Sequence, residues 1–203
     1  MNLESSLIEI IAGRRSIRRY QDKPVARETL VELLTAAAWA PSAHNRQPWR
    51  FALIDKQRVK ERLAKAMGKK LRVDLTADGR PREIIDKDVA RSFSRISSAP
   101  AIILVALTVE DMDIYPDQRR QQNEWLMAVQ STAMAGQNLM IAAHALGLGT
   151  CWLCGPLFSP EVVRKTLRLP AEWQPQGLIT VGYPDVKPVK NRRPLIELVR
   201  FVE

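Results

Sequence analysis

Leu3, Leu7, Ile10 and Ile11 recur at helical spacing, which predicts a short amphipathic helix over residues 3–12. A second helical pattern follows Pro24, from Arg27 to Trp39, and stops ahead of Pro41 because a residue before proline favours extended backbone. Residues 40–48 are loop chemistry. Trp49–Ile54 alternates as a strand, Lys56–Ala66 returns to helical spacing, and Gly68–Pro81 reads as a mobile connection. A helix over 82–96 then feeds the apolar strand Ala101–Leu107. Beyond a polar loop at 108–118 lies the longest element, residues 119–146, with an apolar stripe of Trp125, Val129, Leu139, Ala143 and Leu146. Ala133, Ala135, Gly136, Ala142 and Ala145 make it rich in small residues, as in helices buried among neighbours or packed closely on a partner. A short buried strand at 150–153, a helix start at Ser159-Pro160-Glu161 with Ser159 as N-cap, and a strand at 177–183 complete the pattern. Four or five strands among six helices predict an α+β or α/β fold, one domain over residues 1–203.

Composition narrows the class. Hydrophobic residues at 46% and charged residues at 26% exclude a disordered chain. The 203 residues can bury a sizeable core without disulfides, and two cysteines fit a reducing compartment. The longest apolar run, residues 99–107, falls far short of the roughly 20 residues a membrane helix needs. Glu4 and Glu9 interrupt the N-terminal apolar stretch, and no basic region precedes it, which is not a signal-peptide pattern. The expectation is a soluble cytoplasmic protein without a membrane partner.

Charge is more informative. Lys and Arg number 31 against 22 Asp and Glu, a net +9. Arg14, Arg15, Arg18, Arg19, Lys23 and Arg27 cluster near the start, and Lys187, Lys190, Arg192 and Arg193 near the end. Residues 55–95 mix both signs, as solvated helix surface does. No aromatics interleave with the basic groups, which weighs against a nucleic-acid platform and towards an anionic small ligand.

Candidate chemistry is tested against plainer readings. Cys151 and Cys154 have dithiol spacing but follow a helix and enter a strand, where no helix N-terminus lowers a thiol pKa. Only His44 and His144 could join them on zinc, and neither stands at ligand spacing. Buried structural thiols, a helix-end His144 and no metal are therefore expected. Neither a GxGxxG nor a Walker loop occurs, so a Rossmann or P-loop enzyme is not expected.

What remains is a set of segments in fixed order: Arg14-Arg15-Ser16-Ile17-Arg18-Arg19-Tyr20, then Ala40-Pro41-Ser42-Ala43-His44-Asn45-Arg46-Gln47-Pro48-Trp49. Gln137-Asn138-Leu139, His144 through Trp152, and Val181-Gly182-Tyr183-Pro184 follow. In these the chain resembles the FMN-dependent nitroreductase family almost end to end. Gly149-Thr150-Cys151-Trp152, Asp113-Ile114-Tyr115-Pro116-Asp117 and Leu169-Pro170-Ala171-Glu172-Trp173 look most like the reductase domain of deazaflavin-cofactor biosynthesis.

The resemblance implies an α+β fold, a central mostly antiparallel sheet of four to five strands flanked by helices, in an intertwined homodimer. It implies FMN, its phosphate held by Arg14, Lys190 and Arg192, with Arg193 an equal alternative to Arg192. Arg15 belongs to the same motif, and Ser16 supplies a hydroxyl or backbone contact. Arg18, joined by Arg95, is the cation at the ring's pyrimidine edge, where positive charge tunes the flavin. Pro41, Ser42, Ala43 and Asn45 match a loop that reaches the flavin from the neighbouring subunit. Trp152, Leu153, Cys154 and Gly155 match the segment behind the ring; a smaller residue is expected where Cys154 stands. No side chain is a catalytic nucleophile, because the cofactor carries the chemistry. The implied function is ping-pong reduction of a small electrophilic acceptor by NAD(P)H, its identity set by residues 68–81 and 108–118. Reduction of a deazaflavin precursor and non-catalytic flavin binding are the alternatives.

Overall fold

In the computed structural model, which describes residues 3–189 and 191–202, the chain runs α1 (Leu3–Gly13), α2 (Arg27–Ala38), β1 (Trp49–Ile54), α3 (Gln57–Ala77) and α4 (Arg82–Ser97). It continues through β2 (Ala101–Leu107), α5 (Gln118–Ala145), β3 (Gly149–Leu153), α6 (Gly155–Phe158), α7 (Pro160–Leu167) and β4 (Gln174–Gly182). Single 3₁₀ turns stand at Ala43–Asn45 and Leu195–Glu197. The four strands form one sheet in the order β1-β2-β4-β3, and every neighbouring pair is antiparallel. That selects α+β over α/β.

Strand β2 explains the layering. All seven of its residues are buried, so it is covered on both faces rather than alternating. Ala101, Ile103 and Val105 meet Leu30 and Leu33 of α2 and Ala135, Leu139 and Ala143 of α5. Ile102, Leu104 and Ala106 point the other way, onto Leu63, Ala64 and Met67 of α3, Ile96 of α4 and Val163 of α7. Helices therefore sandwich the sheet. No helix among the described residues is long and apolar enough to cross a membrane.

Several expectations are corrected. The four strands fall within the expected four or five, but the described residues form seven α-helices rather than six. Gly68–Pro81 is not a connection: α3 runs through Gly68 to Ala77. Gly68 is buried there, with Val89 of α4 3.4 Å from where a Cβ would stand. A close helix–helix approach offsets glycine's poor helix propensity. Ser159 precedes α7 but gives it no side-chain cap; its Oγ donates to Gly155 O at 3.2 Å. On α5, Trp125 and Leu146 are exposed, and the buried stripe is Ala128, Ala135, Leu139 and Ala143. Just beyond the end of the helix Gly147 takes φ +75°, with Leu148 N bonded to Ala143 O at 2.8 Å.

The segment after α1 is strapped along the β3 edge and across its neighbour. Ile17 N donates to Thr150 O at 2.8 Å, and Ser16 bridges Thr150 in parallel. Gln21 N donates to Tyr183 O, and Asp185 N to Arg19 O. The Tyr20 hydroxyl donates to Ile17 O at 2.7 Å and meets Thr180 Oγ1 at 2.6 Å; burial pushes its pKa up.

Candidate functional site

The strap fixes the basic motif beside β3. Arg14 is half-buried, and burial, then the nearby Arg192 cation, pulls its guanidinium below the usual value. Two expected phosphate ligands thus face one region. Lys190 lies outside the described residues. Arg15 turns back to Ala12 O and Arg14 O, closing the end of α1. Ser16 is exposed, its backbone bridged to Thr150. A groove of about 420 Å³ opens here, lined by Arg14, Arg15, His144, Gly149, Thr150 and Lys187.

A second cleft, of about 360 Å³, lies against the end of β3. It brings together Arg18, Arg95, Trp152, Leu153, Cys154 and Gly155, all of them expected from sequence. Its far wall is Met67, Leu71 and Leu75 of α3 with Asp88, Arg91 and Ser92 of α4. The thiol of Cys151 reports the local field. Burial pushes its pKa up, while the Arg18, Arg95 and Arg14 cations oppose that push. The cationic groups of the two clefts therefore converge on one stretch of β3.

Trp152 is held in a slot. A Cβ added at Gly136 of α5 would fall inside the van der Waals shell of the Trp152 ring, and one at Gly177 of β4 would lie 2.5–2.8 Å from it. At Gly136, Ala135 and Ala143 the small residues of α5 pack into this chain's own core, whereas Ala133 and Ala145 are exposed. Cys151 is buried, as expected of a structural thiol, but Cys154 is exposed and lines the cleft. Both are free. Among the described residues no group of three His, Cys, Asp or Glu could hold a metal.

Pro41, Ser42, Ala43 and Asn45 are not in either cleft. They precede β1, the sheet edge opposite β3, about three strand spacings or ~14 Å away. Ser42 Oγ accepts from Gln47 N at 3.0 Å, Ser131 Oγ accepts from Ala43 N at 3.3 Å, and Arg46 pairs with Asp113 at 2.7 Å. Left-handed backbone at His44, Asn45 and Gln47 (φ 50°, 53° and 50°) gives the loop its shape. The 108–118 segment braces this loop and does not line the cleft.

Sequence reasoning missed Met67, Asp88 and Arg91, and placed Leu71 and Leu75 in the acceptor-setting 68–81 stretch as a connection rather than as a helix. Their signal was present: spacing of i, i+4, i+8 on α3 and of i, i+3 on α4.

His144 supplies a test of the groove. Its Nε2 stands 2.9 Å from the position a Gly13 Cβ would take. Burial, then the Arg14 and Arg15 cations, holds its pKa below the ordinary value. The unfolded chain then binds more protons than the folded one as pH falls below about 6.5. Stability from this group is complete above that pH and lost on acidification towards the folded pKa. Thermal unfolding against pH is expected to show a drop below about pH 6.5 that His144→Gln flattens. An unchanged drop in the variant would clear His144.

Comparisons with known proteins follow the same lines. A family model described as the nitroreductase family matches residues 11–183. A Bacillus subtilis protein provisionally named the NAD(P)H nitroreductase YfhC is 27% identical over 98% of this chain and 94% of its own length. The 5,6-dimethylbenzimidazole synthase of Rhodospirillum rubrum is 29% identical over 98% and 90%. A Desulfovibrio desulfuricans protein, provisionally assigned as a nitroreductase and crystallised with FMN, superposes with a TM-score of 0.75 at 29% identity, covering 100% of this chain and 98% of that one.

Proposed function

The chain belongs to the nitroreductase family, and from that premise we propose an FMN-dependent oxidoreductase that takes reducing equivalents from NAD(P)H and passes them to an electrophilic organic acceptor, a nitroaromatic, quinone or enone. One observation carries the reading: Arg18 of the strap and Arg95 of α4 line one cleft with Trp152 and Gly155, while Arg14 of the same strap lines the groove beside Thr150, with the Arg192 cation bearing on it. That field suits a ligand with a doubly charged phosphate at one end and a ring that gains negative charge at the other. FMN, when bound, would supply two-electron transfer chemistry between reduced nicotinamide and the acceptor.

The residues do the holding. Arg14 and Arg192, with Lys190, bind the phosphate through charge-assisted hydrogen bonds. Arg18 and Arg95 stabilise negative charge at the pyrimidine edge. Trp152 and Leu153 form a fixed wall behind the ring. Gly155 opens α6, so its N–H lacks an intrahelical acceptor and is free to donate to the ring.

The working unit is a homodimer. The Pro41–Asn45 loop lies too far along the sheet to reach its own chain's cleft, whereas a two-fold partner supplies it twice. Exposed apolar side chains support the same reading: Leu7, Ile8 and Ile11 on α1, Trp39 after α2, and Leu195, Ile196 and Phe201 in the tail.

The test is a visible spectrum of freshly purified protein. Flavin bands are expected, bleached anaerobically by NAD(P)H and restored by a quinone. Colour without bleaching would leave a flavin-binding protein without this activity, and failure to bind added FMN would overturn the reading. The likeness to the 5,6-dimethylbenzimidazole synthase favours a second reading, and product analysis for a benzimidazole separates the two.

A further inference from the structure

We infer that the acceptor this cleft takes is itself an anion, a planar apolar body carrying a carboxylate, sulfonate or phosphate that Arg91 engages. The inference rests on the function proposed above, because that reading already commits Arg18 and Arg95 to the cofactor.

The cleft has two unlike walls. Met67, Leu71 and Leu75 repeat every fourth residue on α3 and present an apolar stripe. On α4, the helix packed beside α3, Asp88, Arg91, Ser92 and Arg95 repeat at three and four residues and present a polar one. A flat ring gains from the first wall, and only a charged substituent gains from the second.

Charge on the lining is lopsided. Three arginines face one carboxylate, Asp88, which Arg91 already contacts at 2.7 Å. That pair is loosely held, for the Arg91 side chain is 53% exposed and i,i+3 surface pairs contribute about 0–1 kcal/mol. Turning the guanidinium from Asp88 to a ligand anion is therefore nearly free. Arg91 also stands one helical turn from Arg95 along the polar wall, placed for the far end of a ligand whose reacting end lies by Cys154 and Gly155. The net charge of +9 favours the approach of such an anion.

The anion could instead belong to the nicotinamide donor, whose phosphates have the same chemistry, so the experiment separates the two. Purified wild-type protein and Arg91→Gln are titrated by calorimetry with 2-naphthalenesulfonate and with uncharged 2-naphthalenemethanol. The wild type is expected to prefer the sulfonate, and the variant to lose about tenfold of that preference, as for one charged hydrogen bond. Arg91→Lys should recover part of it. In turnover, the ratio of kcat/KM for 1,4-naphthoquinone-2-sulfonate to that for 1,4-naphthoquinone should fall by a similar factor. Circular dichroism controls for folding. An unchanged preference in Arg91→Gln overturns the inference, as does an effect confined to the KM for NADPH. Because the calorimetric arm needs no turnover, it reads even if the protein proves not to oxidise NAD(P)H, and the two readings fail separately.

Discussion

Gly136→Leu is expected to cost about 3 kcal/mol or more, beyond the usual range for overpacking, and to lower the melting temperature by about 6–12 °C. The Trp152 ring has nowhere to go. On one side it abuts the Cα of Gly136, and on the other the Cα of Gly177, where an added methyl would stand 2.5 Å from the ring's Cε2. A ring pushed off one backbone is driven into the other. Gly177→Ala should therefore act in the same direction, although alanine is among the mildest of replacements. Since Leu153, Cys154 and Gly155 follow directly along the cleft wall, flavin binding should fail together with stability. Calorimetry with flavin absorbance checks both. A Gly136→Leu protein that melts like the wild type and merely dissociates into monomers would return the small residues of α5 to a subunit interface.

Arg14→Ala and Arg192→Ala should each weaken FMN binding ten- to hundredfold, about 1.5–3 kcal/mol for a charged contact. The signs of two measurements differ, which makes the test sharp. Arg192 helps to lower the Arg14 pKa, so the two cations repel one another in the flavin-free protein. Removing either relieves that repulsion. Flavin-free stability should stay level or rise slightly while affinity falls. Stoichiometric FMN in both variants at low flavin concentration would remove the phosphate assignment, and a parallel loss of flavin-free stability would recast Arg14 as a packing residue.

Strands β1 and β2 were legible because their apolar runs are bounded by clear signals, Pro48 before Trp49 and the polar Thr108–Gln118 stretch after Leu107. Helix α3 was not, because Gly68 is a breaker in a local reading. Only the approach of Val89 from α4, a tertiary fact, shows why glycine is used there. The same error concealed the apolar wall of the cleft, since Leu71 and Leu75 fall in the misread stretch. Arg91 was lost in a run of mixed charges that looks solvated from end to end. The motif residues Arg14, Arg18 and Trp152 to Gly155 stood out by their order along the chain. The Trp152 slot did not, because it depends on the pairing of Trp152 with Ile179 and on the height at which α5 crosses the sheet.

The strap that carries Arg14 and Arg18 bears on how the protein emerges from the ribosome. Its anchors are Thr150, Tyr183, Pro184 and Asp185, so residues 16–21 wait for partners made well over a hundred residues later. Sequence separations this long slow folding, because the intervening chain must be closed before the contact rewards it. Strand β4, which joins the edge strand β3 to the rest of the sheet, is also made after the other three. A nascent chain stalled short of residue 174 would have helices and the paired strands β1 and β2, but β3 would have no neighbour and the arginines no finished seat. The cation field is thus assembled only after β4 has been made, however early its own arginines emerge.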